Sequence, residues 1–82
     1  MMELRDTIEM MNSSDYKERF EAEYFQALIR FNRLNEMVNK YTLGLLDFTP
    51  TCPIWVLKEQ LDVMREYIKC LEKRAEIEGI TL

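Results

Sequence analysis

Gln60, Tyr67 and Arg74 recur every seven residues, a step that keeps them on one stripe of a helix. An amide, a phenol and a guanidinium along one edge can hold a nucleotide. The Arg grips a phosphate bidentately, the Tyr stacks on a base and the amide reads a base edge. Arg30 holds the equivalent flank of an upstream helix, between Glu23 and Met37, while Arg33 and Lys40 line its outer face. The same residues have a plainer use. Arg74 and Arg30 can pair with glutamates across a helix interface, and from residue types alone that is the more economical reading. Tyr16, Lys17 and Arg19 open the first long helix, where free N–H groups and the helix dipole favour an anion. Asp15 and Glu18 offer that dipole negative charge from within the chain.

Other chemistry finds little support. The chain has no His, so a Ser–His or Cys–His nucleophile is excluded, and nothing points to a Ser–Lys or Cys-only variant. Cys52 and Cys70 are too few for a zinc site; they can pair as a disulfide, although reduced thiols fit an intracellular protein better. The acidic residues are interleaved with Lys and Arg, as on a solvated helix surface. The expectation is a binding protein rather than an enzyme, with no cofactor and no metal.

The elements that must carry these residues are helical. Only two Gly and two Pro stand in 82 residues, too few turn formers for an all-β fold. Phe20, Tyr24, Ala27, Phe31, Leu34, Val38 and Tyr41 step by four and three, a heptad seam that Leu28 and Met37 widen. Ile54, Leu57, Leu61, Met64, Ile68, Leu71 and Ala75 repeat the device. Helices are therefore expected at about 15–43 and 53–78. Ser14 or Asp15 caps the first and Glu18 stands at capping-box distance. Gly44 and Gly79 stop the two helices. Thr51 or Cys52 is expected to cap the second, with Pro53 in its first turn. Leu45, Leu46 and Phe48 are expected to plug the hairpin end.

Two long helices and a short connection make residues 13–82 an antiparallel hairpin. Residues 1–12, with Leu4, Ile8 and Met11 in helical spacing, form an arm or a short helix. The fold class is all-α. Trp55, Val56, Val63, Tyr67, Cys70 and Ile77, with Phe25 and Ile29, lie off the main stripes, and leaving so many apolar side chains wet invites association. A homo-oligomeric bundle of hairpins follows; the competing arrangement is a monomer in which the arm folds back over the stripe.

The formal charge of −4 argues against DNA or RNA as a partner, because such proteins show a basic face. No run of ~18 apolar residues and no secretory signal are readable. The expected place is the cytoplasm, with no membrane partner.

From Tyr16 to Ile80, about four fifths of the chain, the sequence resembles a family of small phage and prophage proteins first grouped by relation to a protein of crAss-like phages. The resemblance lies in Glu18-Arg19-Phe20 with Glu23-Tyr24, Arg33-Leu34 with Tyr41, Asp47-Phe48-Thr49-Pro50 with Cys52-Pro53, Glu59-Gln60-Leu61 with Met64 and Glu66-Tyr67, and Leu71-Glu72 with Arg74 to Ile80. In architecture the hairpin looks like phage immune-evasion sponges. Those proteins inhibit the CBASS and Thoeris defences by trapping cyclic oligonucleotides or cyclic ADP-ribose isomers between subunits, often in hexamers. What the resemblance implies is a non-catalytic sponge for a cyclic nucleotide signal, acting in the host cytoplasm as a homo-oligomer, a hexamer being favoured. Placement on the helices makes Arg30, Arg33, Lys40, Tyr67 and Arg74 its contacts, with Tyr16 and Lys17 second. The alternative is a helical protein–protein interaction module, a phage adaptor or an inhibitor of a host protein.

Overall fold

Both heptad seams close on each other in the computed structural model, which describes residues 2–82; Met1, the start of the expected arm, lies outside them. A 3-10 turn, Leu4–Thr7, runs into a short helix α1 (Ile8–Met11), followed by the long helices α2 (Tyr16–Thr42) and α3 (Ile54–Glu78). No strand occurs among the described residues. Pairs that join the long helices, Tyr16 to Glu78 and Tyr24 to Glu72, fall in sequence on one side as they rise on the other. The hairpin is antiparallel.

The core is densest at the open end of the hairpin, where Phe20, Tyr24, Ile68, Leu71, Ala75 and Ile80 form one buried cluster. Val38 and Leu61 are buried towards the closed end. Tyr41, expected in the seam, is exposed. At this register it stands level with the start of α3, so the partner helix has no further turn to cover it.

Helix ends follow local chemistry. Asp15 caps α2 by accepting from the Lys17 N–H. At the end of α3 the Ile80 N–H donates to the Ala75 carbonyl at 2.9 Å and the Gly79 N–H to that of Glu76 at 3.4 Å. That is a Schellman motif, and the contact between Ile80 and Ala75 in the core completes it. Gly79 holds φ = +70°, where an L side chain costs roughly 1–2 kcal/mol. G79A is therefore expected to lose about 1 kcal/mol by urea unfolding, and an unchanged midpoint would mean that the C-terminal turn is not held.

Two expectations need correction. Pro53 is itself the N-cap of α3, with φ −55° and ψ 141° and no side-chain cap. Its carbonyl accepts from Val56 and Leu57, so neither Thr51 nor Cys52 is needed. The connection plugs the hairpin end only in part: Leu46 is half-buried, but Leu45 and Phe48 are exposed beyond a second Schellman turn at Gly44 (φ 74°).

The arm folds back, but onto α2 rather than over α3. Thr7 is fully buried, donating to the Leu4 carbonyl and accepting from Gln26 Nε2 at 3.1 Å. Ala22, on the side of α2 turned away from α3, is also fully buried. Val63, Tyr67 and Ile77 of α3 are left exposed, as is Cys70.

Candidate functional site

The seven expected site residues divide into two groups with opposite electrostatic standing. The first is occupied by the chain's own partners. Arg74 donates from Nε to Glu78 at 3.3 Å and from Nη2 to the Tyr16 hydroxyl at 2.7 Å, and its guanidinium lies 4.8 Å from the centre of the Phe20 ring. Tyr16 in turn donates to Glu78 at 2.8 Å. The ion pair expected for Arg74 is thus made within its own helix, and Tyr16 carries the link across the hairpin. The expected anion perch at the start of α2 is filled too. Asp15 takes the Lys17 N–H, and Arg19 donates to the Ser13 carbonyl at 2.7 Å. The side chain of Lys17 stands exposed beside it.

Two phenols strengthen this latch. Tyr67 donates to Glu23, and Tyr24 donates to Glu72 at 2.9 Å. The hydrogen bond to Glu23, followed by burial, pushes the Tyr67 pKa up to about 12. Burial, with the bond to Glu72, raises that of Tyr24. Between about pH 10, where the unfolded phenol ionises, and about pH 12, the folded state holds more protons than the unfolded chain, so stability falls as pH rises. Y67F should flatten part of that fall in urea midpoints taken across the window; the same slope in both proteins would refute the link.

In the second group Arg30 and Arg33 are unsatisfied, whereas Lys40 is paired. Among the described residues neither Arg30 nor Arg33 makes an ion pair, and both are exposed. They stand together on a cleft of about 400 Å³ lined also by Leu34 and Met37 of α2, Gln60 and Met64 of α3 and Leu4 of the arm. Spacings of three and four put Arg30, Arg33 and Met37 on one flank of α2. The same rule puts Gln60 and Met64 on the facing flank of α3. Arg33 also borders a neighbouring cleft of about 430 Å³ with Met37, Lys40, Leu46 and Phe48. Lys40 there is paired to Glu36 at 3.3 Å.

Chemically this is a pair of free guanidiniums over a thioether and aliphatic floor, with an amide at the rim. Guanidiniums suit phosphate oxygens, and methionine adapts to flat rings of varied shape. Residue spacing does not reveal Met64 and Leu4 as lining. Met64 reads in sequence as a seam residue, and nothing in the spacing of Leu4 says which face of α2 the arm will reach.

Residues 14–77, well over half of the chain, match the family model described as Sequestin. No curated protein and no solved structure matches the chain.

Proposed function

The chain belongs to the Sequestin family, whose name points to a sequestering role, and on that premise we propose that it traps a cyclic nucleotide signal by binding alone. The observation that carries this reading is the unpaired Arg30–Arg33 couple above the apolar cleft. A cyclic oligonucleotide or a cyclic ADP-ribose isomer presents charged phosphates beside flat rings, the two surfaces this cleft complements. A formal charge of −4 disfavours long polyanions, yet it does not cancel two local guanidiniums, since charges beyond ~8–10 Å are screened. In this reading the protein is a phage-encoded sponge against a CBASS- or Thoeris-type defence. It acts in the host cytoplasm as a homo-oligomer, with a hexamer favoured, and performs no turnover.

The second reading, a module that docks on a host or phage protein, is favoured by Trp55 and Phe48, which stand 63% and 54% exposed. A thermal-shift panel decides between them. Cyclic dinucleotides, cyclic trinucleotides and cyclic ADP-ribose isomers are compared with linear nucleotides. A true ligand at 100 times its Kd adds about 2.7 kcal/mol, so one cyclic species should stand out. A folded protein that no member of the panel stabilises would overturn the sponge and leave the docking module.

A further inference from the structure

The outer face of α3 carries a second heptad stripe, of which the hairpin uses only the edge nearer α2. Val56, Gln60, Val63, Tyr67, Cys70, Arg74 and Ile77 alternate by four and three, as the seam against α2 does; Tyr67 and Arg74 reach back to Glu23 and Tyr16 of α2, whereas Val63, Cys70 and Ile77 face away from it. Val63 and Ile77 are 69% and 78% exposed. The arm, which could have covered this face, packs on α2 instead. One column of the stripe, Val56, Val63, Cys70 and Ile77, is wholly apolar; the other, nearer the α2 groove, is Gln60, Tyr67 and Arg74. We infer that this face pairs antiparallel with the same face of a second copy, and that each copy thereby sets its Arg74 at the rim of the other's Arg30–Arg33 cleft.

The occupant is identified by complementarity of the stripe with itself. In a parallel pair, equivalent positions face each other, which would set Arg74 against the second copy's Arg74. In an antiparallel pair, residues of one column come level with the other column of the partner. Tyr67 then packs on Cys70 of the second copy, Arg74 on its Val63 and Gln60 on its Ile77. The flanking row carries Glu59, Glu66 and Lys73. This register brings Glu66 beside Lys73 of the second copy twice, and the two-fold axis passes near Ile68 and Lys69. An isologous contact of this kind uses one patch for both subunits. Pairs built this way require an even number of chains, which a hexamer satisfies.

The register also completes the cleft. Arg74 of the second copy falls between Gln60 and Tyr67, and Gln60 lines the cleft of Arg30 and Arg33. In its own chain Arg74 spends two N–H groups on Glu78 and Tyr16, so a guanidinium with five donors keeps others for a phosphate. The shared site rests on the nucleotide reading above; the pairing does not.

Cross-linking decides the pairing without any ligand. In a C52A protein, Cys70 lies close to the axis and to Cys70 of the second copy, so mild oxidation should yield a disulfide-linked dimer. In V63C/C52A/C70A, the antiparallel register separates the two introduced thiols by roughly 17 Å along the helices, beyond disulfide reach, and no dimer should form. Both proteins replace exposed or half-buried residues, and circular dichroism checks their helices. Cross-linking through position 63 would mean a parallel pair, and a wild-type mass of one or any odd number of chains would exclude the pairing; either overturns the inference. The shared site is read by mixing R74Q with R30Q/R33Q chains. Each alone should bind the cyclic nucleotide that stabilises the wild type at least tenfold more weakly, and the mixture should regain part of the wild-type sites through mixed pairs. No regain, with the cross-link intact, would remove Arg74 from the site.

Discussion

A chain carrying R30Q and R33Q is expected to lose the cyclic ligand proposed for it while keeping its fold. Each charge-assisted hydrogen bond is worth about 1.5–3 kcal/mol. Two together correspond to a weakening of roughly 10²–10⁴-fold. The two side chains are exposed and unpaired, so unfolding free energy should shift by no more than about 0.5 kcal/mol. Titration calorimetry measures the first quantity and urea unfolding the second. Affinity that survives the double substitution would take the cleft out of the sponge reading. A large loss of stability would instead show that these arginines hold the fold.

The largest effect on folding is expected from Phe20→Ala. Phe20 is 2% exposed and sits in the open-end cluster with Leu71, Ala75 and Ile80. Removing a buried Phe side chain costs about 3–5 kcal/mol through lost transfer energy and the cavity left behind. A small domain has only about 5–15 kcal/mol in total, so the variant should be marginal at room temperature. The effect extends to the surface, because the Phe20 ring also supports the Arg74 guanidinium, which in turn orients Tyr16 and Glu78. Leu45→Ala, at a side chain 70% exposed, is the matched control and should change little. Urea midpoints that agree for the two variants would show that the open-end cluster is not where the hairpin is held.

Binding and folding can be separated in this way because they use different faces of α2. Phe20, Tyr24 and Val38 look into α3 and are buried, whereas Arg30 and Arg33 stand where α2 passes between α3 and the arm. Arg30 and Arg33 can therefore be changed with little cost to the seam. The same division leaves two local positive charges on an acidic chain. Most of its Lys and Arg interleave with acidic residues, and four of the five ion pairs among the described residues join Lys or Arg to Asp or Glu three or four residues away on the same helix.

How far the chain can be read without its structure depends on the range of the interaction. Helix, seam and stops are local properties: a period of 3.6 residues decides which side chains share a face, and a Gly with positive φ ends the ladder wherever it falls. Phe20, Tyr24, Val38, Leu61, Ile68, Leu71 and Ala75 follow from spacing alone as core, and they are buried. Tyr41 follows the same period and is exposed, because burial needs a partner helix at that level and α3 has only begun. The loop residues Leu45 and Phe48 escape burial for a related reason, since apolarity does not tell the chain which way to leave Gly44.

The state of each cation is a tertiary matter throughout. Arg30 and Arg74 look alike in the sequence, each on a flank of a seam and each near glutamates. Only the packed hairpin brings Tyr16 and Phe20 within reach of Arg74, through a separation of 58 residues for the hydroxyl, and leaves Arg30 beside Leu34, Met64 and the arm's Leu4. A hydrogen bond is lost over a fraction of an ångström, and that precision comes from the crossing and register of two helices and the path of the arm. By itself, then, the sequence determined an all-helical chain with two seams and a surplus apolar stripe. The tertiary structure decided which arginines find partners within the chain and which are left unpaired, because pairing depends on where distant segments come to rest.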